Sequence, residues 1–290
     1  MQYIGRFAPS PSGPLHFGSL TTAVASYLDA RSNQGKWLVR IDNIDPLREP
    51  SGAADNILST LESYGLHWDD SIIYQGEREH SYQTALEQLR TQNWLFHCQC
   101  TRAKIAGQQV YPGHCREALL PSQNTATRIR IDNGIINFRD ELQGDFSINK
   151  QTAIGDFILK RKDGLWAYQL ATALDDAEDG ITHVVRGIDL LESSFRQVWL
   201  QEILNKSSPI YSHLPIITTS DGQKLSKQNH AKPVEQFGIL HSLRVALTIL
   251  GLPELPDLPH SELLVWATQH WNINRLKHQK SILIPEALIS

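Results

Sequence analysis

Tyr3-Ile4-Gly5-Arg6-Phe7-Ala8-Pro9-Ser10-Pro11-Ser12-Gly13-Pro14-Leu15-His16-Phe17-Gly18-Ser19 decides how the rest of the chain is read. The apolar run Tyr3 to Ala8 suits a strand, and it breaks where three prolines and a glycine within six residues forbid both a continued strand and a helix interior. A helix can begin near Gly18, because Leu20, Val24 and Leu28 recur four apart with Ala23 and Ala25 beside them. Strand, tight turn and helix start predict a βα unit. His16, Gly18 and Ser19 then lie at the positive end of a helix, beside a glycine that admits a ligand to the backbone. A phosphate is stabilised at such a place.

The same alternation of strand and helix continues. Trp37 to Ile41 reads as a second strand, followed by the polar run Asp42-Asn43-Ile44-Asp45-Pro46-Leu47-Arg48. Charged groups just past a strand's carboxyl end are where open α/β sheets place their ligand crevice. Ile57, Leu58, Leu61 and Tyr64 form one helical face with Gly65 as its stop, and a second helix spans about 78–94. From about 96 to 163 the texture changes to short β-like segments and turns, ending in the hairpin signal Asp163-Gly164. This reads as a compact insertion between two halves of an α/β fold. The second half resumes with a helix from Tyr168, a strand at 181–185 and a helix at 192–204, and the chain from Ser207 onward reads as mostly helical.

Composition narrows the class. The chain has 290 residues, 41% of them apolar, enough for a sizeable core. Its apolar runs are short, and Arg6 with the proline turn stands where a signal peptide needs its apolar stretch, so no membrane partner and a cytoplasmic location are expected. The net charge of −4 excludes a generic, sequence-blind nucleic-acid binder. That charge divides into −6 over residues 1–205 and +2 over 206–290, which also hold six of the twelve histidines. A polyanion is therefore expected along the C-terminal part and the mouth of the site.

Two further clusters carry chemistry. Cys98, Cys100 and Cys115 are too few for a disulfide framework, whereas three thiolates and one more donor make a closed tetrahedral zinc site. His97, Tyr111 and His114 are the candidates for that donor. A closed site leaves no position for substrate, so the metal is expected to be structural. Lys224-Leu225-Ser226-Lys227 follows the turn Ser220-Asp221-Gly222 and puts two ammonium groups on a loop that can close over a triphosphate.

Residues 8–19 and 224–227 together resemble the two signatures of the class I aminoacyl-tRNA synthetases, with Leu225 in place of the usual methionine. Arg6 to Pro11, Arg40 to Asp45, Tyr168-Gln169-Leu170-Ala171, Asp175-Asp176 and Gly180 to Gly187 are similar to the glutamyl and glutaminyl subgroup. The resemblance covers about three-quarters of the chain. It implies a Rossmann-type α/β catalytic domain at 1–205 with a zinc-bearing insertion, and a lysine loop and short helical region at 206–290 without an anticodon-binding domain. It implies Mg2+-ATP bound by His16, Gly18, Ser19, Lys224, Ser226 and Lys227, with His16, Gly18 and Lys227 catalytic. L-glutamate falls to Arg6, Ala8, Ser10, Asp42, Tyr168 and Arg186, and Zn2+ to Cys98, Cys100, Tyr111 and Cys115. Arg6 and Arg186 are expected to meet across the crevice, since a substrate with two carboxylates needs two guanidinium groups. The subgroup usually has Glu-Asp where this chain has Asp42-Asn43, one methylene shorter, so Asp42 is expected to reach the substrate ammonium through water.

The short outline resembles paralogues of glutamyl-tRNA synthetase that place glutamate on the queuosine base of tRNA(Asp). The cyclopentene-diol of that base offers two cis hydroxyls, as the terminal ribose of tRNA does. The other readings are a truncated synthetase charging the tRNA 3′ end, a non-catalytic paralogue binding tRNA or an amino acid, and a nucleotidyltransferase of the same superfold. The last leaves the paired arginines and the zinc insertion unexplained.

Overall fold

A computed structural model describes residues 2–218 and 233–284. In chain order the strands are β1 (Ile4–Phe7), β2 (Lys36–Ile41), β3 (Ile73–Tyr74), β4 (Leu95–Cys98), β5 (Ala126–Ile129), β6 (Ile135–Asp140), β7 (Gly144–Asn149), β8 (Phe157–Lys160), β9 (His183–Gly187), β10 (Ile210–Leu214), β11 (Ile216–Thr218) and β12 (Ser281–Leu283). The helices are α1 (Phe17–Ser32), α2 (Ala53–Ser63), α3 (Glu79–Thr91), the single turn α4 (Lys150–Ala153), α5 (Tyr168–Glu178), α6 (Leu191–Ile203), α7 (Ile239–Ile249) and α8 (His260–His270).

Seven strands form one sheet in the order β3-β2-β1-β9-β10-β6-β7, parallel except for the edge strand β7. Its central strands are covered on both faces, which is why β1 and β2 read as nearly unbroken apolar runs. Along β2 the side chains part by face: Trp37, Val39 and Ile41 enter the core under α1, α7 and α8, while Leu38 enters the core under α5 and α6. Leu20, Val24 and Leu28 of α1 are fully buried, and each such side chain stabilises the fold by about 2 kcal/mol. Gly35 lets the chain leave α1 against the start of β1, where a Cβ would stand 2.7 Å from that of Tyr3. Gly65, with a φ of +74°, ends α2 as expected.

Two expectations are corrected. The stretch 96–163 is not one self-contained insertion: β4, β5 and β8 make a separate antiparallel sheet, but the β6–β7 hairpin between them joins the main sheet through β10. Nor is the chain beyond Ser207 mostly helical at first. Ile210–Leu214 is a strand lying between β9 and β6, so the sheet continues past the boundary drawn at 205. Ser212 and His213 hide this strand, because a polar pair is not what a buried parallel strand normally shows. Among the described residues no helix is long and apolar enough to cross a membrane.

Candidate active site

From β1 the chain winds to β2 and β3 on one side, then later to β9 and β10 on the other. The order therefore reverses between β1 and β9, and a crevice opens past their carboxyl ends. It holds a cleft of about 490 Å³. The turn after β1 contributes Ala8 and Ser10 to its wall, the start of α1 contributes His16, Gly18 and Ser19, and α5 contributes Tyr168. Arg6 and Arg186, on β1 and β9, both line it.

One end is built for a polyanion. His16 is the N-cap of α1: its Nδ1 accepts from the Ser19 amide at 3.2 Å, and its Nε2 lies 2.9 Å from the Ser19 hydroxyl. The first turn of α1 carries no acidic residue, so no charge within that turn opposes the positive end of the helix. The Pro9–Pro14 turn thus delivers backbone amides to the cleft, with an imidazole held beside them.

The two arginines differ in how their charge is met. Arg6 gives Nε and Nη2 to Asp176 of α5 at 3.1 and 3.0 Å, a bidentate pair out of water. Asp176 also accepts from Arg40 at 2.7 Å. Burial alone would raise the Asp176 carboxyl, but Arg6 and Arg40 outweigh it and hold the group well below the usual carboxylate range. Arg186 donates from Nη2 to Ser194 Oγ at 2.6 Å and Gln197 Oε1 at 2.7 Å, from Nε to His213 at 3.2 Å, and from Nη1 to Tyr168 at 3.5 Å. Every one of these partners is a neutral acceptor. Among the described residues no carboxylate pairs with this buried guanidinium, so at the wall of a cleft it has the chemistry to receive an anion.

Asp42 alone of the described glutamate-site candidates lies apart from this cleft. It lines an adjoining pocket of about 320 Å³ that shares Ser10, Ser12 and Tyr168 with the first, and its Oδ1 accepts from Arg40 at 2.8 Å. Lys224, Ser226 and Lys227 lie outside the described residues. Before them Ile217 lines the cleft, and after them Pro233 bridges to His16.

On the small antiparallel sheet the thiol sulfurs of Cys98, Cys100 and Cys115 lie within 4.8 Å of one another. The Tyr111 hydroxyl lies 3.4 Å from Cys98 Sγ and 3.7 Å from Cys100 Sγ, and accepts from the Cys115 amide at 2.8 Å. Of the three candidates for fourth donor, this favours the phenol. Burial raises the Cys115 thiol, but hydrogen bonds from Tyr111 and the neighbouring thiols outweigh it and bring it to about 7. Such a set fits a closed zinc site.

Over residues 4–248 the sequence matches tRNA synthetases class I (E and Q), catalytic domain. The chain belongs to the class I synthetases of the E and Q family. A curated relative from Photorhabdus laumondii subsp. laumondii, named glutamyl-Q tRNA(Asp) synthetase, is 48% identical over 288 residues, covering 97% of this chain and 90% of its own length. A protein of the same name from Photobacterium profundum is 47% identical over 286 residues, covering 97% and 92%. Among solved structures, a glutamate tRNA ligase from Elizabethkingia meningosepticum in complex with its amino acid aligns with a TM-score of 0.78 at 25% identity, over 96% of this chain and 66% of that one.

Around the two arginines stand residues to which the sequence reading gave no site role. Ser194, Gln197 and His213 touch Arg186, with Asp140 behind His213, and Asp176 pairs with both Arg6 and Arg40. One signal was available for two of them: Ser194 and Gln197 stand three apart on α6 and so share a face.

Proposed function

We propose that this synthetase joins L-glutamate to ATP as glutamyl-adenylate and transfers the glutamate to the queuosine base of tRNA(Asp). Arg186 carries the reading of the substrate: a buried guanidinium whose partners among the described residues are all neutral calls for a carboxylate, and Tyr168 beside it fixes the orientation. Arg6, Ala8 and Ser10 complete the amino-acid pocket, with Asp42 reaching the α-ammonium through water from the adjoining pocket. The relatives' shared name, at nearly half the positions and almost the whole length, supports queuosine as the acceptor.

The reacting carboxylate is already a nucleophile, so catalysis rests on placing it in line with the α-phosphorus and on meeting the charge that develops on pyrophosphate. His16 and the amides at Gly18 and Ser19 meet that charge from the helix end, and Lys224, Ser226 and Lys227 from the other side. Mg2+ travels with ATP and screens its phosphates. Cys98, Cys100, Cys115 and Tyr111 would hold a zinc ion, and a site filled by four protein donors would restrict it to a structural task. The substrates of the reaction put the enzyme in the cytoplasm.

ATP–pyrophosphate exchange with glutamate, run without tRNA, tests the first step. Transfer of labelled glutamate to tRNA(Asp) with and without queuosine tests the second. Glutamate-dependent exchange and labelling of the modified tRNA alone are expected; charging of unmodified tRNA(Glu) would instead establish the 3′-end reading.

A further inference from the structure

Behind Arg186 lies a chain of buried groups that touches no substrate. Asp140, at the end of β6, accepts the amides of Leu142, Gln143 and His213 at 3.0, 2.8 and 3.2 Å, and its Oδ2 meets His213 Nδ1 at 2.5 Å. Those contacts need the ionised carboxylate, so the proton of the imidazole is on Nδ1 and Nε2 is an acceptor. Nε2 then takes the Ser194 hydroxyl at 2.9 Å and Arg186 Nε at 3.2 Å, while Ser194 Oγ takes Arg186 Nη2. The connectivity Asp-His-Ser copies that of a hydrolase, yet all three side chains are almost wholly out of solvent and the serine oxygen is taken up as acceptor by a guanidinium, so no acyl group can reach it.

We propose that Asp140, His213 and Ser194 are positioning residues that aim Arg186 at the cleft while leaving its charge unspent. The negative charge needed to fix the imidazole sits on the far side of the ring, and among the described residues the acceptors that touch the guanidinium are all neutral. A carboxylate in direct contact with Arg186 would anchor it as well but would compete with the ligand, as Asp176 does at Arg6. A protonated His213 would turn an N–H toward the N–H of Arg186 and break the hold. Burial, with Arg186 nearby, keeps His213 below its ordinary pKa despite Asp140.

The inference rests on glutamate as substrate, and the exchange assay separates the two. His213→Leu keeps volume and removes the acceptor; His213→Gln keeps a carbonyl near the place of Nε2. His213→Leu is expected to raise KM for glutamate about tenfold or more while KM for ATP and kcat stay within about twofold, with His213→Gln recovering most of the loss. Ser194→Ala, a milder cut, is expected to raise KM for glutamate roughly fivefold. The relay is overturned if the native enzyme exchanges with glutamate and both the leucine and the alanine variants keep its KM. It is equally overturned if KM for ATP rises in step with KM for glutamate, or if His213→Gln fares no better than His213→Leu. No exchange by the native enzyme with any amino acid overturns this inference and the proposed function together.

Discussion

A guanidinium that already holds a carboxylate has little left to offer a second one, and this separates Arg6 from Arg186. Both positions are legible in the sequence, since they stand at the ends of strands that flank a crevice. Their partners are not: Asp176 is 170 residues from Arg6, and Asp140 is 73 from His213, so only the folded sheet brings them together. Arg186→Lys keeps the charge but not the planar fork that reaches Tyr168, Ser194 and Gln197 at once; KM for glutamate in exchange is expected to rise by roughly two orders of magnitude with ATP affinity little changed. At Arg6 the expectation concerns stability. Asp176→Asn takes from Arg6 its carboxylate and from Arg40 one of its two hydrogen-bonded carboxylates, and is expected to cost about 3 kcal/mol in denaturant unfolding. Because the folded-state pKa of Asp176 lies below its unfolded value, the native advantage is complete above about pH 5 and shrinks as pH falls below about 4. A gap that stayed constant down to pH 2 would show that the carboxylate charge is not its source.

Elements were legible where one apolar period ran unbroken, as in β1, α1 and β2, and obscure where polar residues were buried by pairing. β10 escaped notice because His213 and Ser212 are satisfied by a carboxylate and a sheet that no local window contains. The β6–β7 hairpin was seen as part of an insertion because its alternating exposure matches any two-stranded ribbon; its seat at the end of the main sheet depends on β10. At the tight exit from α1, Gly35→Ala forces a Cβ against Tyr3 and is expected to lower unfolding free energy by about 2 kcal/mol, read from the shift of the denaturation midpoint. The cysteine cluster belongs to the same scale, since Cys98 ends β4 and Arg128 of β5 stacks 4.0 Å over the Tyr111 ring. Elemental analysis is expected to find zinc equimolar with the chain. Its removal by a chelator should lower the melting temperature by about 5 °C or more, and Tyr111→Phe should weaken metal retention without abolishing it.

At the scale of the molecule, the fold class followed from strand and helix alternation, whereas the partition at 205 did not describe how the core is shared. Leu20 and Leu28 of α1 pack in one cluster with Leu243, Leu247 and Leu263, and Asp29 accepts from both the Tyr3 hydroxyl at 2.5 Å and the Trp271 indole at 2.8 Å. A fragment of residues 1–205 is therefore expected to show no cooperative thermal transition by circular dichroism, and a sharp melt matching that of the full chain would refute the shared core. β10 also sets an order of events. Arg186 is translated more than twenty residues before His213, and its slot in the sheet is bounded by a strand still to come. A nascent chain paused on the ribosome after α6 has thus made every arginine of the pocket and can aim none of them at glutamate through this relay. Amino-acid recognition arrives in one step, late in synthesis, rather than growing with the polypeptide.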